Sequence, residues 1–239
     1  MFGLEIATVG LLHLTTISTK ASELDCQPKK ELIIEVIPNS TPALHDYTKT
    51  TAEINMIGQG AYSAYGADHN RTELRGLTVG RQSLKHNIEF YFEKHEDVDL
   101  VCLQIRNVKI TMDYKPTVYV STKFTQGTPI FQKILEHEIE HVKITQKLLR
   151  EYSEILEQRL KNTLKRGYSA GPFKVEEMNM NKQALGDRAL NVISAVNEAM
   201  RKESHARHNM FDDDELRDVQ QYNRGVARKL EKILKIDER

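Results

Sequence analysis

The chain has 239 residues, with 34 Lys and Arg set against 34 Asp and Glu, a formal net charge of zero and 39% hydrophobic residues. That balance argues against a general electrostatic partner such as nucleic acid or an acidic membrane, and no run approaches the ~20 apolar residues of a transmembrane segment. The length suits one domain with a sizeable core, or a core with a helical extension.

The chain opens with "MFGLEIATVGLLHLTTISTKA", an apolar run that no Lys or Arg precedes and that Glu5 and His13 interrupt. Residues 1–25 are therefore expected to be a signal-like or flexible N-terminal segment, and 26–239 a single domain. Export would place the protein in the periplasm or outside the cell, with the cytoplasm as the alternative. Cys26 and Cys102 are the only cysteines, and in an exported protein they should pair.

The first half reads as strands. Leu32–Ile37 is a β-rich run that Pro38 and Asn39 should stop. "IGQGAYSAYGADHN", residues 57–70, has three glycines and few large apolar groups, which predicts a loop. Leu84, His86, Ile88, Phe90 and Phe92 alternate with polar residues, so a strand with one buried face is expected, His86 being a core histidine on it. Further alternation at 101–105, 108–112 and 118–120, with short gaps, predicts an antiparallel β-meander. Residues 26–124 are thus mainly β.

Residues 128–239 read as mainly α. Thr128-Pro129 is a helix start, and no Gly or Pro follows until Gly167. "GYSAGP", 167–172, should be a turn. A return helix is expected from about Phe173 to Met210, antiparallel to the first. "FDDDE", 211–215, should open a C-terminal helix whose stripe is Leu216, Val219, Val226, Leu230 and Ile233. The class is α+β.

The first long helix carries His137-Glu138-Ile139-Glu140-His141. Histidines at i and i+4 share one face of a helix, so both imidazoles can reach one metal ion. Glu138 borders that face and can act as general base toward a water that zinc acidifies. Glu138 and His141 also continue the apolar stripe Ile134, Thr145, Leu148, Tyr152 and Ile155, where unpartnered ionisable groups are costly. The return helix has its own four–three stripe: Leu185, Ala189, Val192, Val196, Ala199, Glu203, Ala206 and Met210. Glu203 is its one charged member. His137 lies 29 residues before Arg166, and 29 residues on from Lys174 is Glu203. An antiparallel pair would therefore bring Glu203 opposite the histidines as third zinc ligand. His205, His208 and Glu198 remain competing third ligands. Tyr168, His205, His208 and Tyr222 are candidates for an oxyanion stabiliser.

"HEIEH" on a helix that follows strands, with a Glu from the next helix, resembles the gluzincin branch of the zincin metallopeptidases. The short motif is also similar to that of small bacterial secreted proteins predicted to be zinc proteases. The likeness covers the five-residue motif, the element order and one Glu. The longer metzincin motif is absent, Ile144 and Lys147 standing at its glycine and third histidine. The resemblance implies a zincin-like domain and a zinc-dependent hydrolase acting on a peptide or protein substrate. Its ligands would be His137, His141 and Glu203, with Glu138 as catalytic base. It further implies that Thr117–Phe124 is an edge strand for an extended substrate. The alternatives are a non-catalytic helical interaction protein, in which HExxH is incidental, and a metal-binding protein without hydrolase activity.

Overall fold

The computed structural model describes residues 24–63 and 74–237, except for the side chains of 61–63 and 214–237. The signal-like run before residue 24, residues 64–70 of the glycine-rich stretch, and the side chains of Tyr222 and of the C-terminal stripe lie outside what is described. The elements are β1 (Ile33–Ser40), β2 (Leu44–Asp46), α1 (Thr51–Ser63), β3 (Gly76–His95), β4 (Leu100–Val120), α2 (Pro129–Leu164), β5 (Ser169–Lys174) and α3 (Met178–Asp237). Helix and strand are mixed, as expected, but the expected antiparallel meander is not formed. One five-stranded sheet is organised on β4, with which β1, β2, β3 and β5 all pair. β2 joins β4 in parallel, and β5 joins it antiparallel.

The meander expectation fails because its runs at 101–105, 108–112 and 118–120 are one 21-residue strand. The polar residues between them stay in the strand and do not turn the chain. Asp113 is only 7% exposed; it accepts a bond from the Asn39 side chain at 2.6 Å and pairs with Lys85 at 2.9 Å. With β2 paired to Thr117–Tyr119 and the strand ended at Val120, Thr117–Phe124 is not the free edge strand that the zincin resemblance implied.

The chain forms two compact units, the first holding residues up to Asn39, Gln82–Asp113 and Glu151–Asn197, and the second Ser40–Arg81, Tyr114–Arg150 and residues from Glu198 on. Both cut across the expected division into a β part and an α part. In the first, Val101, Leu103, Ile105, Val108 and Ile110 of β4 are buried, as are Leu156, Leu160 and Leu164 of α2 and Leu185, Ala189, Ile193 and Val196 of α3. Alternate residues of a strand and residues three or four apart on the helices supply this core. His86, expected there, is exposed.

The expected turn at 167–172 is mostly strand β5, whose Val101↔Phe173 and Leu103↔Ala170 pairs flank an irregularity in register. Gly171 sits there with φ +127°, and a Cβ on it would stand 2.7 Å from the Val101 carbonyl oxygen and 2.8 Å from Cys26 Sγ. Only glycine fits that approach. Cys26 and Cys102 form a disulfide across a separation of 76 residues. Beside it, the Gln104 side chain accepts from the Lys29 amide at 2.8 Å and donates to the Lys30 carbonyl at 2.9 Å. Closing a loop of that length in the unfolded chain is worth about 4 kcal/mol. Cys26→Ser should therefore lower the urea-unfolding free energy by about that amount, and unreduced denatured wild type should show no free thiol. A loss below ~1 kcal/mol would contradict the loop-entropy account.

In the second unit, α1 starts within a capping box. The Thr50 amide donates to Glu53 Oε2 at 2.7 Å, and the Glu53 amide donates to Thr50 Oγ1 at 3.3 Å. This cap carries the helix through Gly58 and Gly60 to Ser63, so 57–63 is helix where a loop was expected. Thr128 caps α2 as expected: its Oγ1 accepts from the Phe131 amide at 3.4 Å and its carbonyl from the Gln132 amide at 3.0 Å. Ile54, Leu77, Tyr114, Val118, Val120, Phe131, Val142, Leu148 and Met200 are buried in this unit.

Gly80 on β3 makes room for the Tyr114 ring, since a Cβ there would lie 2.2 Å from Tyr114 Cε2 and 3.1 Å from its hydroxyl oxygen. Tyr114 is 2% exposed and has nowhere to retreat. Gly80→Ala should cost about 1–3 kcal/mol by overpacking, seen as a lower Tm; an unchanged Tm would show that the ring is free to move.

α3 runs unbroken for 60 residues. The separate C-terminal helix expected to open at "FDDDE" is thus the continuation of the return helix.

Candidate metal centre

His137 and His141 lie one turn apart on α2, and their Nε2 atoms are 3.1 Å apart. Asp212 on α3 places Oδ1 3.1 Å from His141 Nε2 and 3.4 Å from His137 Nε2. Three donors arranged tetrahedrally about one ion at bonds of ~2.0–2.1 Å stand about 3.3 Å from one another. The observed triangle fits that requirement, and His137, His141 and Asp212 form a group that could hold a metal ion.

Two packing features hold the triangle. Phe211, next to Asp212, stacks on the His137 ring at 5.0 Å between centroids and meets the His141 ring edge-on at 5.1 Å. His208, one turn before Asp212, puts Nδ1 2.7 Å from His141 Nδ1 and Nε2 3.0 Å from Thr145 Oγ1. Burial, and then the neighbouring His141, pull the pKa of His208 down from 6.5 to about 4, so the ring is neutral at neutral pH.

Glu138 is 6% exposed. Thr78 Oγ1 on β3 lies 2.8 Å from Glu138 Oε2 and 2.8 Å from the Glu138 carbonyl oxygen. β3 comes this close because residue 76 is glycine: a Cβ there would lie 2.9 Å from Glu138 Oε1 and 2.7 Å from Ile134 Cγ2. Burial raises the Glu138 pKa above the ordinary carboxylate range, opposed by His141, the Thr78 hydroxyl and His137. A carboxyl group raised in this way is a stronger base once ionised.

Glu203 does not join the triangle. Its Oε1 accepts from Arg207 Nε at 2.8 Å, one turn along α3, and its side chain is 41% exposed. Asp212 stands where Glu203 was expected, nine residues further on, and two features account for part of that distance. The chain between the helices forms β5 and a short 3-10 turn at Val175–Glu177, so α3 begins at Met178 and not near Lys174. The strict four–three stripe also drifts from a straight helix by about 20° per heptad. The buried face accordingly passes from Val196 to Met200, both buried, while Ala199, Ala206 and Met210 are exposed. Of the other candidates, His208 lies beside His141, whereas His205 Nδ1 is 3.4 Å from the Asn209 side chain. In the first unit, the Tyr168 hydroxyl donates to the Lys30 carbonyl at 3.4 Å. Asp212 had a signal in the sequence: His208 and Asp212 stand at i and i+4, the same spacing as His137 and His141.

The fold and centre define an α+β protein with a half-buried His₂–carboxylate group that could hold a metal ion. Compared with known proteins, the chain has no significant match to a family model, a curated protein or a solved structure. Among the described residues, no helix is long and apolar enough to cross a membrane.

Proposed function

We propose that the protein is a zinc-dependent hydrolase of the zincin metallopeptidase type that acts on a peptide or protein substrate outside the cytoplasm. The observation that carries this is the 3.1–3.4 Å triangle of His137, His141 and Asp212. Two imidazoles and a carboxylate are a donor set that zinc takes in catalytic sites, with one position left open. Bound zinc would supply a coordinated water acidified to a pKa of about 7. Glu138, adjacent in sequence to His137 and raised in pKa by burial, would accept the proton of that water and return it to the leaving amine. His137 and His141 hold their ring orientation through Phe211, and Thr78 holds the Glu138 carboxylate. The carboxylate ligand in this assignment is Asp212 and not the Glu that the gluzincin resemblance implied.

The test is metal content and proteolysis measured together on protein purified without a histidine tag. One zinc per chain and cleavage of an unfolded protein, both removed by a chelator and restored by zinc, are expected. A chain that takes up no zinc would end the proposal. A second reading is a metal-binding protein without hydrolysis; it is favoured by the burial of Glu138 against Thr78, which can hold a carboxylate for structure alone.

A further inference from the structure

His141 presents its two ring nitrogens to different partners. Nε2 faces His137 Nε2 and Asp212 Oδ1, and Nδ1 lies 2.7 Å from His208 Nδ1. A neutral imidazole has one N–H and one lone pair, so the proton at the Nδ1 pair decides what Nε2 can do. If His141 Nδ1–H donates to His208, Nε2 of His141 carries a lone pair toward the triangle. If His208 Nδ1–H donates to His141, Nε2 of His141 carries the proton and cannot ligate. The far side of His208 meets Thr145 Oγ1 at 3.0 Å. A hydroxyl can accept from His208 Nε2–H as readily as it can donate to that nitrogen, so the contact accommodates the tautomer in which His208 Nδ1 is the acceptor.

We infer that His208 is a positioning residue, which accepts the Nδ1–H of His141 and thereby fixes its tautomer with Nε2 free for the metal, braced by Thr145. The inference rests on the metal reading above. A chain of this kind orients a ligand and raises its basicity, and removing such a partner typically weakens metal binding by about 10–100-fold.

The experiment has two arms on the full chain. In the first, zinc affinity is measured by chelator competition for wild type, H137A, H208A, H208N and T145V, with the Co²⁺ absorption spectrum as a second readout. H208A should bind about 10–100-fold more weakly at unchanged one-to-one stoichiometry, and its Co²⁺ bands should shift. H208N, whose amide oxygen can accept the same N–H, should recover part of the loss. T145V should lie between H208A and wild type. In the second arm, ¹H–¹⁵N imidazole spectra of the zinc-loaded wild type should show His141 protonated at Nδ1 and His208 at Nε2. Wild-type affinity and an unshifted spectrum in H208A overturn the inference while leaving the metal reading intact, provided that H137A has lost zinc. Loss of all binding in both H208A and H208N, with the folds retained, would make His208 a ligand and overturn it. A proton on His208 Nδ1 overturns it without recourse to any variant. Wild type that binds no zinc overturns both proposals.

Discussion

Asp212→Ala should release the metal, and Glu203→Gln should not. Asp212 is the carboxylate within 3.1 and 3.4 Å of the two histidine donors; Glu203 is paired with Arg207 on the open side of the helix. Zinc binding to a structural protein site runs to roughly 10–16 kcal/mol at neutral pH. Shared among the ligands, loss of one amounts to about 3–5 kcal/mol, or roughly 10²–10⁴-fold in affinity. His137→Ala and His141→Ala should fall in the same range. Glu203→Gln should stay within about twofold of wild type, and the metal-free protein should change little in stability, because exposed i,i+4 pairs contribute only about 0.3–0.5 kcal/mol. Zinc affinity by chelator competition and metal-free Tm read both effects. Equal affinity in Asp212→Ala and wild type would remove Asp212 from the centre; a large loss in Glu203→Gln would restore the ligand that the stripe of the return helix suggested.

Glu138→Gln should retain zinc and lose hydrolysis. The substitution preserves shape and keeps an acceptor for the Thr78 hydroxyl, but an amide does not accept a proton at neutral pH. General-base catalysis typically contributes about 10²–10⁴-fold, so kcat on a peptide substrate should fall by that factor while bound zinc remains at one per chain. Burial raises the Glu138 pKa, so removing the ionisable group should also leave the fold at least as stable at neutral pH. Retained hydrolysis would show that another group takes the proton. A wild type that binds zinc but cleaves nothing would favour the non-catalytic metal-binding reading.

The parts of this protein that were legible in one dimension are those governed by neighbours in the chain. Thr128 caps α2, and Pro129 is its first residue, because a hydroxyl can reach amides three residues on and a proline needs no hydrogen bond in a first turn. His137 and His141 come together because a helix returns to the same face after four residues. The Thr50–Glu53 box is equally local, but the loop expectation rested on the glycines that follow and did not take it into account.

Tertiary structure decided what depends on two distant segments at once. Whether Asn107 and Asp113 turn the chain or stay in a strand depends on what meets them. At Asp113, Asn39 and Lys85 satisfy the carboxylate, so β4 runs straight through and the meander becomes one central strand. Whether β2 pairs in parallel with the end of β4 is likewise invisible in its three residues. The third member of the metal centre is Asp212, nine residues along α3 from Glu203, whereas the observed helix ends, Leu164 and Met178, move the count from His137 only to His205. A strand and a short turn lie between the helices, and each heptad assigned at 3.5 residues per turn rotates the face a little further from its true direction. Local hydrogen bonding sets where a helix begins and which residues share a face; the packing of one helix on another sets which of its turns stands opposite His137 and His141.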